Sequence, residues 1–139
     1  MIIKNVSGKR KMAVAKASIK EGNGEVIINK KPHALMDMFN RMRIEEPLRI
    51  AKEIIGEIKF NIDVKVSGGG KEGQVEAARL AIARALVEAM KEQDVKKAEL
   101  LKKAYLSYDR NLLVADIRRK EAYKPGDSKA RAKRQKSYR

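Results

Sequence analysis

Apolar and polar residues alternate with period two over two long stretches of this chain and recur at helical spacing over three others. Ala13, Ala15, Ala17 and Ile19 point one way, and Val14, Lys16, Ser18 and Lys20 the other, which marks a strand with one buried face. Ile58, Phe60, Ile62, Val64 and Val66 alternate with Lys59, Asn61, Asp63, Lys65 and Ser67 without an error. Ile2 to Val6 reads as a shorter strand, and Ser7 to Lys11 as a basic turn that follows it. Gly22-Asn23-Gly24 offers the positive-φ residues of a tight hairpin, with Glu25 to Asn29 as the returning strand and Val26 and Ile28 facing inward. The first three strands are therefore expected to form an antiparallel meander.

The helical stretches come next. His33 to Asn40 is expected as a short helix, followed by a loop through Arg41 and Arg43. Pro47 suits the first turn of another helix, with Glu45 and Glu46 at its positive end. Leu48, Ala51, Ile54, Ile55 and Ile58 supply its apolar stripe. Adjacent carboxylates diverge on a helix, so Glu45 and Glu46 read as helix-start residues and not as an acid/base pair. After residues 67–74 a long helix runs to about Met90, with Val75, Ala78, Ile82, Ala85, Leu86 and Ala89 on one stripe. Its six alanines, at 77, 78, 81, 83, 85 and 89, would let it lie close to the sheet. A further amphipathic helix spans Val95 to Tyr105 through Ala98, Leu101 and Tyr105, and beyond Asp109 the periodicity fades. The pattern predicts an α+β fold, two-layer, with a mainly antiparallel sheet packed against helices. The expected division is a globular body over 1–108 and an extended basic C-terminal tail over 109–139.

Composition changes this picture in two ways. Only 4% of the 139 residues are aromatic and Trp is absent, so the core must come from Ile, Val, Leu, Met and Ala. The net charge of +15 predicts strong attraction to polyanions, nucleic acid first among them. The charge is unevenly placed. The sixteen residues from Lys124 hold seven Lys or Arg against one Asp, and no Leu, Ile, Val, Met or Phe. Such a segment cannot offset its ordering entropy by burial and calls for an anionic partner, although composition alone also allows a solubilising extension.

Several chemistries drop out. With no Cys and a single His33, neither thiolate catalysis nor Cys- or His-ligated metal is expected, and no cofactor is called for. No apolar run approaches membrane-spanning length and no signal-peptide layout is visible, so a cytoplasmic protein is expected, with no membrane partner. Gly68, Gly70 and Gly73 satisfy G-x-G-x-x-G between a strand and a helix, which tempts a dinucleotide-site reading. The parallel strand that should follow the helix is missing, so a nucleotide-binding enzyme using the Gly68–Gly73 loop is a minor alternative. The loop still suits an anion, since Gly68, Gly69 and Gly70 permit close backbone approach, the helix N-terminus offers free N–H groups, and Lys71 adds a charge. It equally suits a sharp turn. Lys9, Arg10 and Lys11 are candidate phosphate ligands or a solvated turn, and the global charge favours phosphate.

Taken in order, the motifs resemble one family over the whole chain. Gly8-Lys9-Arg10 leads into Ala13–Ala17, and Gly22-Asn23-Gly24 precedes Val26-Ile-Ile-Asn29. Gly68-Gly-Gly is followed by Gly73-Gln74-Val-Glu-Ala-Ala and Ile82-Ala-Arg-Ala-Leu86. Asp116-Ile-Arg-Arg-Lys-Glu121 precedes Lys124-Pro-Gly126, and the chain stops at Arg134-Gln-Lys-Ser-Tyr-Arg139. The set resembles the universal small-subunit ribosomal protein S-nine family. Its Gln-Lys-Ser-Tyr-Arg ending looks like the archaeal and eukaryotic branch, and the short N-terminus tilts it toward archaeal.

That resemblance implies a ribosome-bound protein in the head of the small subunit, with no small-molecule substrate and no catalytic role. Its implied partners are small-subunit ribosomal RNA, neighbouring head proteins and P-site tRNA, whose anticodon stem-loop the tail reaches. Carried onto this chain, the tRNA-contacting tip is Lys136, Ser137, Tyr138 and Arg139. The expected ribosomal RNA ligands are Lys9, Arg10, Lys11, Gly68, Gly69, Gly70, Lys71, Arg118, Arg119, Lys120, Lys124, Lys129, Arg131, Lys133 and Arg134. Ala122-Tyr123 stands where many relatives have Pro and a basic residue, which withdraws Tyr123 from the expected phosphate contacts. A free-standing basic RNA-binding module is the other alternative, because charge does not name its polyanion.

Overall fold

A computed structural model describes residues 2–126, 129–133 and 137–139. Five strands, β1 (Ile2–Arg10), β2 (Ala13–Glu21), β3 (Val26–Ile28), β4 (Lys31–Pro32) and β5 (Phe60–Ser67), form one sheet in the order β1-β2-β5-β3-β4. Three helices, α1 (Met38–Ile55), α2 (Lys71–Gln93) and α3 (Val95–Tyr108), complete an α+β architecture with a mainly antiparallel sheet.

The period-two stretches are strands, and they bury the faces the pattern assigns. Ala13, Ala15, Ala17 and Ile19 of β2 and Phe60, Ile62 and Val64 of β5 are all buried. The expected meander is not what forms. β5 inserts between β2 and β3, pairing antiparallel with eight residues of β2 and parallel with β3. The long alternating strand has two edges to satisfy, and three-residue β3 fills only one of them. Gly22-Asn23-Gly24 therefore closes no hairpin but wraps the start of β5. There the Asn61 side-chain oxygen accepts from the Asn23 and Glu25 amides at 2.8 and 3.0 Å. At the other end Asn29 extends the short strand, its side chain exchanging hydrogen bonds with the Val66 N–H and C=O at 2.8 and 3.2 Å.

A second correction concerns Pro47. Of the helix expected over His33 to Asn40, His33–Leu35 forms a separate 3-10 turn, and its end, the expected loop and the second helix are one helix, α1, which begins after Asp37 and carries Pro47 in its interior. Ile44, Pro47, Leu48 and Ala51 are its buried residues, so the proline ring is a member of the apolar stripe. Glu45 and Glu46 are consequently mid-helix, not at its start. Glu45 pairs with Arg41 and Arg49 one turn either way, at 2.6 and 2.9 Å, while Glu46 faces Arg79 of α2. The Pro47 carbonyl accepts the Tyr105 hydroxyl of α3 at 2.7 Å, and burial pushes that phenol well above its ordinary pKa, so it stays a donor.

All three helices lie on one side of the sheet. α2 packs on β1, β2 and β5, and α1 and α3 pack on α2 and on each other. Its six alanines are all buried. Gly8 on β1 shows how close the approach is: a Cβ there would come 2.4 Å from the Ala77 carbonyl oxygen and 2.8 Å from the Ala81 nitrogen. Gly8→Ala should thus destabilise the fold by about 1–3 kcal/mol through overpacking. At Gly70 nothing lies within 4 Å and the backbone is extended at the start of α2, so Gly70→Ser should be neutral or slightly stabilising. Urea midpoints of the two variants provide the comparison. Tyr105→Phe removes a buried hydrogen bond to a helical carbonyl and should lower the same midpoint by the equivalent of about 1 kcal/mol.

Candidate nucleic-acid interface

The basic segments that sequence separates meet at one end of the sheet. Gly68 and Gly69 adopt φ of 74° and 63°, and side chains there would collide with the Met12 carbonyl oxygen at 2.5 Å and the Ala13 nitrogen at 2.9 Å. These glycines let the loop press on the Lys11–Met12 turn; Ser7 to Arg10, expected as part of that turn, instead continue β1, so Lys9 and Arg10 end the strand beside it. The Gln74 side chain holds the loop by donating to the Gly68 carbonyl at 3.0 Å. Lys71 opens α2 and is exposed, while Glu72 in the same first turn pairs with Arg43. The loop is followed by α2 and then directly by α3, so the parallel strand of a dinucleotide fold is absent here among the described residues.

Lys9 and Lys11 project into solvent, but Arg10 does not. Its side chain is 16% exposed, with Nε 2.6 Å from Glu76 and Nη1 against Asp116. Arg118 closes on the same Asp116 through Nε and Nη2, at 2.9 and 2.7 Å, and its backbone N–H donates to Oδ1 at 2.9 Å. Arg118, its backbone N–H and Arg10 together hold the Asp116 carboxyl far below the usual carboxylate range. The root of the C-terminal segment is thereby fastened to β1 and α2.

Two further arginines reinforce that root, and neither was legible as functional from sequence. Arg84 of α2 donates to the Leu113 carbonyl at 2.9 Å and the Ser7 carbonyl at 2.8 Å. Arg79 bridges Glu46 of α1 to Asp109, the latter at 2.9 Å. Leu112 is buried in the core just beyond, so the chain stays on the body past Tyr108 through an additional 3-10 turn at Arg110–Leu112.

Beyond Asp116 the described residues are almost all exposed. Arg119 donates to the Arg118 carbonyl at 3.1 Å, Lys120 sits 4.6 Å over the Tyr123 ring, and Arg131 pairs with Glu121 at 3.0 Å. Lys124, Lys129 and Lys133 are exposed, as are Ser137, Tyr138 and Arg139 at the tip. Tyr138 is 88% exposed, an aromatic ring with no apolar cover. Arg134 and Lys136 lie outside the described residues. Among those described, no group of His, Asp or Glu could hold a metal, and no helix is long and apolar enough to cross a membrane.

Among the described residues, a small α+β body, exposed lysines at one end of the sheet and a fastened root from which a basic segment departs are the features of a polyanion-binding protein. The comparisons with known proteins agree. The family model described as Ribosomal protein S9/S16 matches residues 8–139, and the chain belongs to that family. It is 44% identical to the small ribosomal subunit protein uS9 of Methanococcus vannielii, with both chains covered completely. It is 46% identical, again over the full length of both, to the uS9 protein of Methanococcus maripaludis. These relatives are archaeal-type ribosomal proteins, not enzymes.

The Asp116 clamp makes a prediction with a defined pH window. Because the folded-state carboxyl lies below its ordinary value near 3.9, its contribution is complete above that value and is lost only as pH falls toward the depressed one. Hydrogen exchange at Leu113 and Val114, corrected for intrinsic rates, should therefore show unchanged protection between pH 5 and 8. Asp116→Ala should speed that exchange about tenfold at neutral pH while leaving the β2 amides unchanged.

Proposed function

We propose that this protein is a structural constituent of the small ribosomal subunit, binding ribosomal RNA through its body and tail and supporting translation without catalysis. The observation that carries this reading is the full-length likeness to uS9 proteins, joined to exposed lysines at the sheet end and along the tail that no carboxylate pairs among the described residues. In this reading the body over 1–108 sits in the subunit head, in the cytoplasm. The extension over 109–139 runs from the Asp116 clamp through ribosomal RNA toward the P site. Lys9, Lys11, Gly68, Gly69, Gly70 and Lys71 serve as the body's RNA contacts, and Arg119, Lys120, Lys124, Lys129, Lys133 and Arg134 as those of the tail. Arg10 and Arg118 act from within the clamp, and Arg131 from its pair with Glu121.

At the tip, Lys136, Ser137, Tyr138 and Arg139 contact the anticodon stem-loop of the P-site tRNA. Arg139 presents a planar fork that matches two phosphate oxygens, and Tyr138 a ring that stacks on a base or ribose. Neighbouring head proteins are the remaining partners. Exposed Leu35, Met38, Phe39 and Met42 around the start of α1 offer them apolar surface that phosphate would not cover.

Removal of residues 136–139 tests the tip. Truncated protein should still assemble into small subunits, while P-site tRNA dissociates about tenfold faster, the equivalent of one charge-assisted contact. Unchanged dissociation would remove the tRNA role. Failure to sediment with small subunits at low salt would instead favour a free-standing RNA-binding module.

A further inference from the structure

The side of the sheet opposite the helices is uncovered, and it is basic. Register places Ser7, Lys16 and Lys65 in one row across β1, β2 and β5, with Lys16 and Lys65 directly opposite each other. Lys9, opposite Val14, lies one row toward the basic turn, and Lys20, opposite Asn61, lies two rows the other way. All four lysines are exposed, and none has a carboxylate within ion-pair reach among the described residues. Asp63, half-buried opposite Ser18, is the face's one carboxylate.

Like charges directly opposed across two strands destabilise a sheet, and chains ordinarily place a carboxylate or a neutral residue at one of the two positions. Here the repulsion is left in place, and an anion lying between the two ammonium groups would convert it into attraction. The face has no aromatic ring to stack a base, and the one ring of β5, Phe60, points inward. That argues against single-stranded RNA, which needs stacking platforms. Lysine is depleted in protein interface cores, and the face's apolar side chains, Val14 and Ile27, are half-buried and stand apart at opposite sides of it, which argues against a protein occupant. What remains is a row of regularly spaced phosphates presented by a helical segment. The lysines step along β2 by about 13 Å between Lys16 and Lys20, at roughly 3.3 Å per residue.

We propose that the open sheet face, through Lys16, Lys20 and Lys65 with Lys9 at its border, docks on the phosphate backbone of helical RNA, a second contact surface remote from the tail. This rests on the ribosomal reading above, because it takes the RNA to be that of the small subunit. The body would then be held between two RNA contacts, the glycine-loop end and the sheet face, rather than hanging from its tail.

The test uses full-length protein and the small-subunit ribosomal RNA of Methanococcus maripaludis in filter binding across 50–300 mM salt. The triple variant K16Q/K20Q/K65Q is compared with K52Q/K102Q/K103Q, which removes equal charge from exposed positions on α1 and α3. The sheet-face variant should reduce the log–log salt slope by roughly two to three and weaken binding at least about tenfold at 0.1 M salt. The control should change the slope by less than about one. The sheet-face variant should also melt at the same temperature or higher, since the Lys16–Lys65 repulsion is gone.

Lysine acylation supplies the second readout: Lys16, Lys20 and Lys65 should be protected by naked ribosomal RNA. If the wild-type protein shows no preference for this RNA over an unrelated duplex, the ribosomal reading itself fails and takes this inference with it. If wild type binds but both triple variants lose affinity equally, the reading stands and the sheet face is not a contact. Protection in whole subunits but not on naked RNA would mean that a protein covers the face, which also overturns the inference.

Discussion

Everything in this molecule depends on how closely α2 lies against the sheet. The chain has no Trp and few aromatics, so large side chains cannot span a wide gap between layers. The gap is closed instead by small residues on both sides: Gly8, Ala13, Ala15 and Ala17 below, and Ala77, Ala78 and Ala81 above. Backbone then nearly touches backbone, and dispersion contacts replace what bulky side chains would supply. Because α2 is buried on almost every side, α1 and α3 find their apolar partners on it and have no need of the sheet's far face. That far face is left free of structural duty and open to charge.

The same closeness explains the glycine loop. Gly68 and Gly69 bring the end of β5 over the Met12–Ala13 turn and into α2 with no slack, in conformations that other residues rarely adopt. The loop resembles a nucleotide-binding fingerprint because both problems need a tight strand-to-helix passage. The packing requirement alone accounts for Gly68 and Gly69, whereas Gly70 has open space around it.

Periodicity made β2, β5 and α3 legible, since each buries one stripe and polar residues cover the rest; in α2 it picked out one stripe, which is buried along with Ala77, Leu80, Ala81, Ala83, Val87 and Met90 outside it. The buried Ala98, Leu101 and Tyr105 of α3 are the residues its spacing picks out. What periodicity cannot carry is strand order, which depends on contacts between distant segments; hence β5 entering between β2 and β3. Nor does it announce that a proline ring serves as core, as Pro47 does. At the candidate interface, charge was legible but pairing was not. Arg10 reads as a phosphate ligand until Glu76 and Asp116 are seen against it, and Arg84 carries no sequence signal because its partners are main-chain carbonyls.

The division of labour between the two cations explains why so much positive charge remains outward. Each arginine of the first 108 residues is engaged: Arg10, Arg41, Arg43, Arg49 and Arg79 with carboxylates, Arg84 with two carbonyls. Among the described lysines of that stretch, only Lys4, Lys59 and Lys91 have a carboxylate within 4.0 Å. The planar guanidinium reaches several acceptors at once and tolerates partial burial, whereas the ammonium is a strongly hydrated point charge that does better in water. Seven of the seventeen described carboxylates pair with arginine and three with lysine, so the arginines are held within the architecture and the net charge is expressed largely as lysine on the outside. Loss of a body arginine should accordingly be felt in stability and in the aim of the tail. Loss of a lysine should be felt where the polyanion lies.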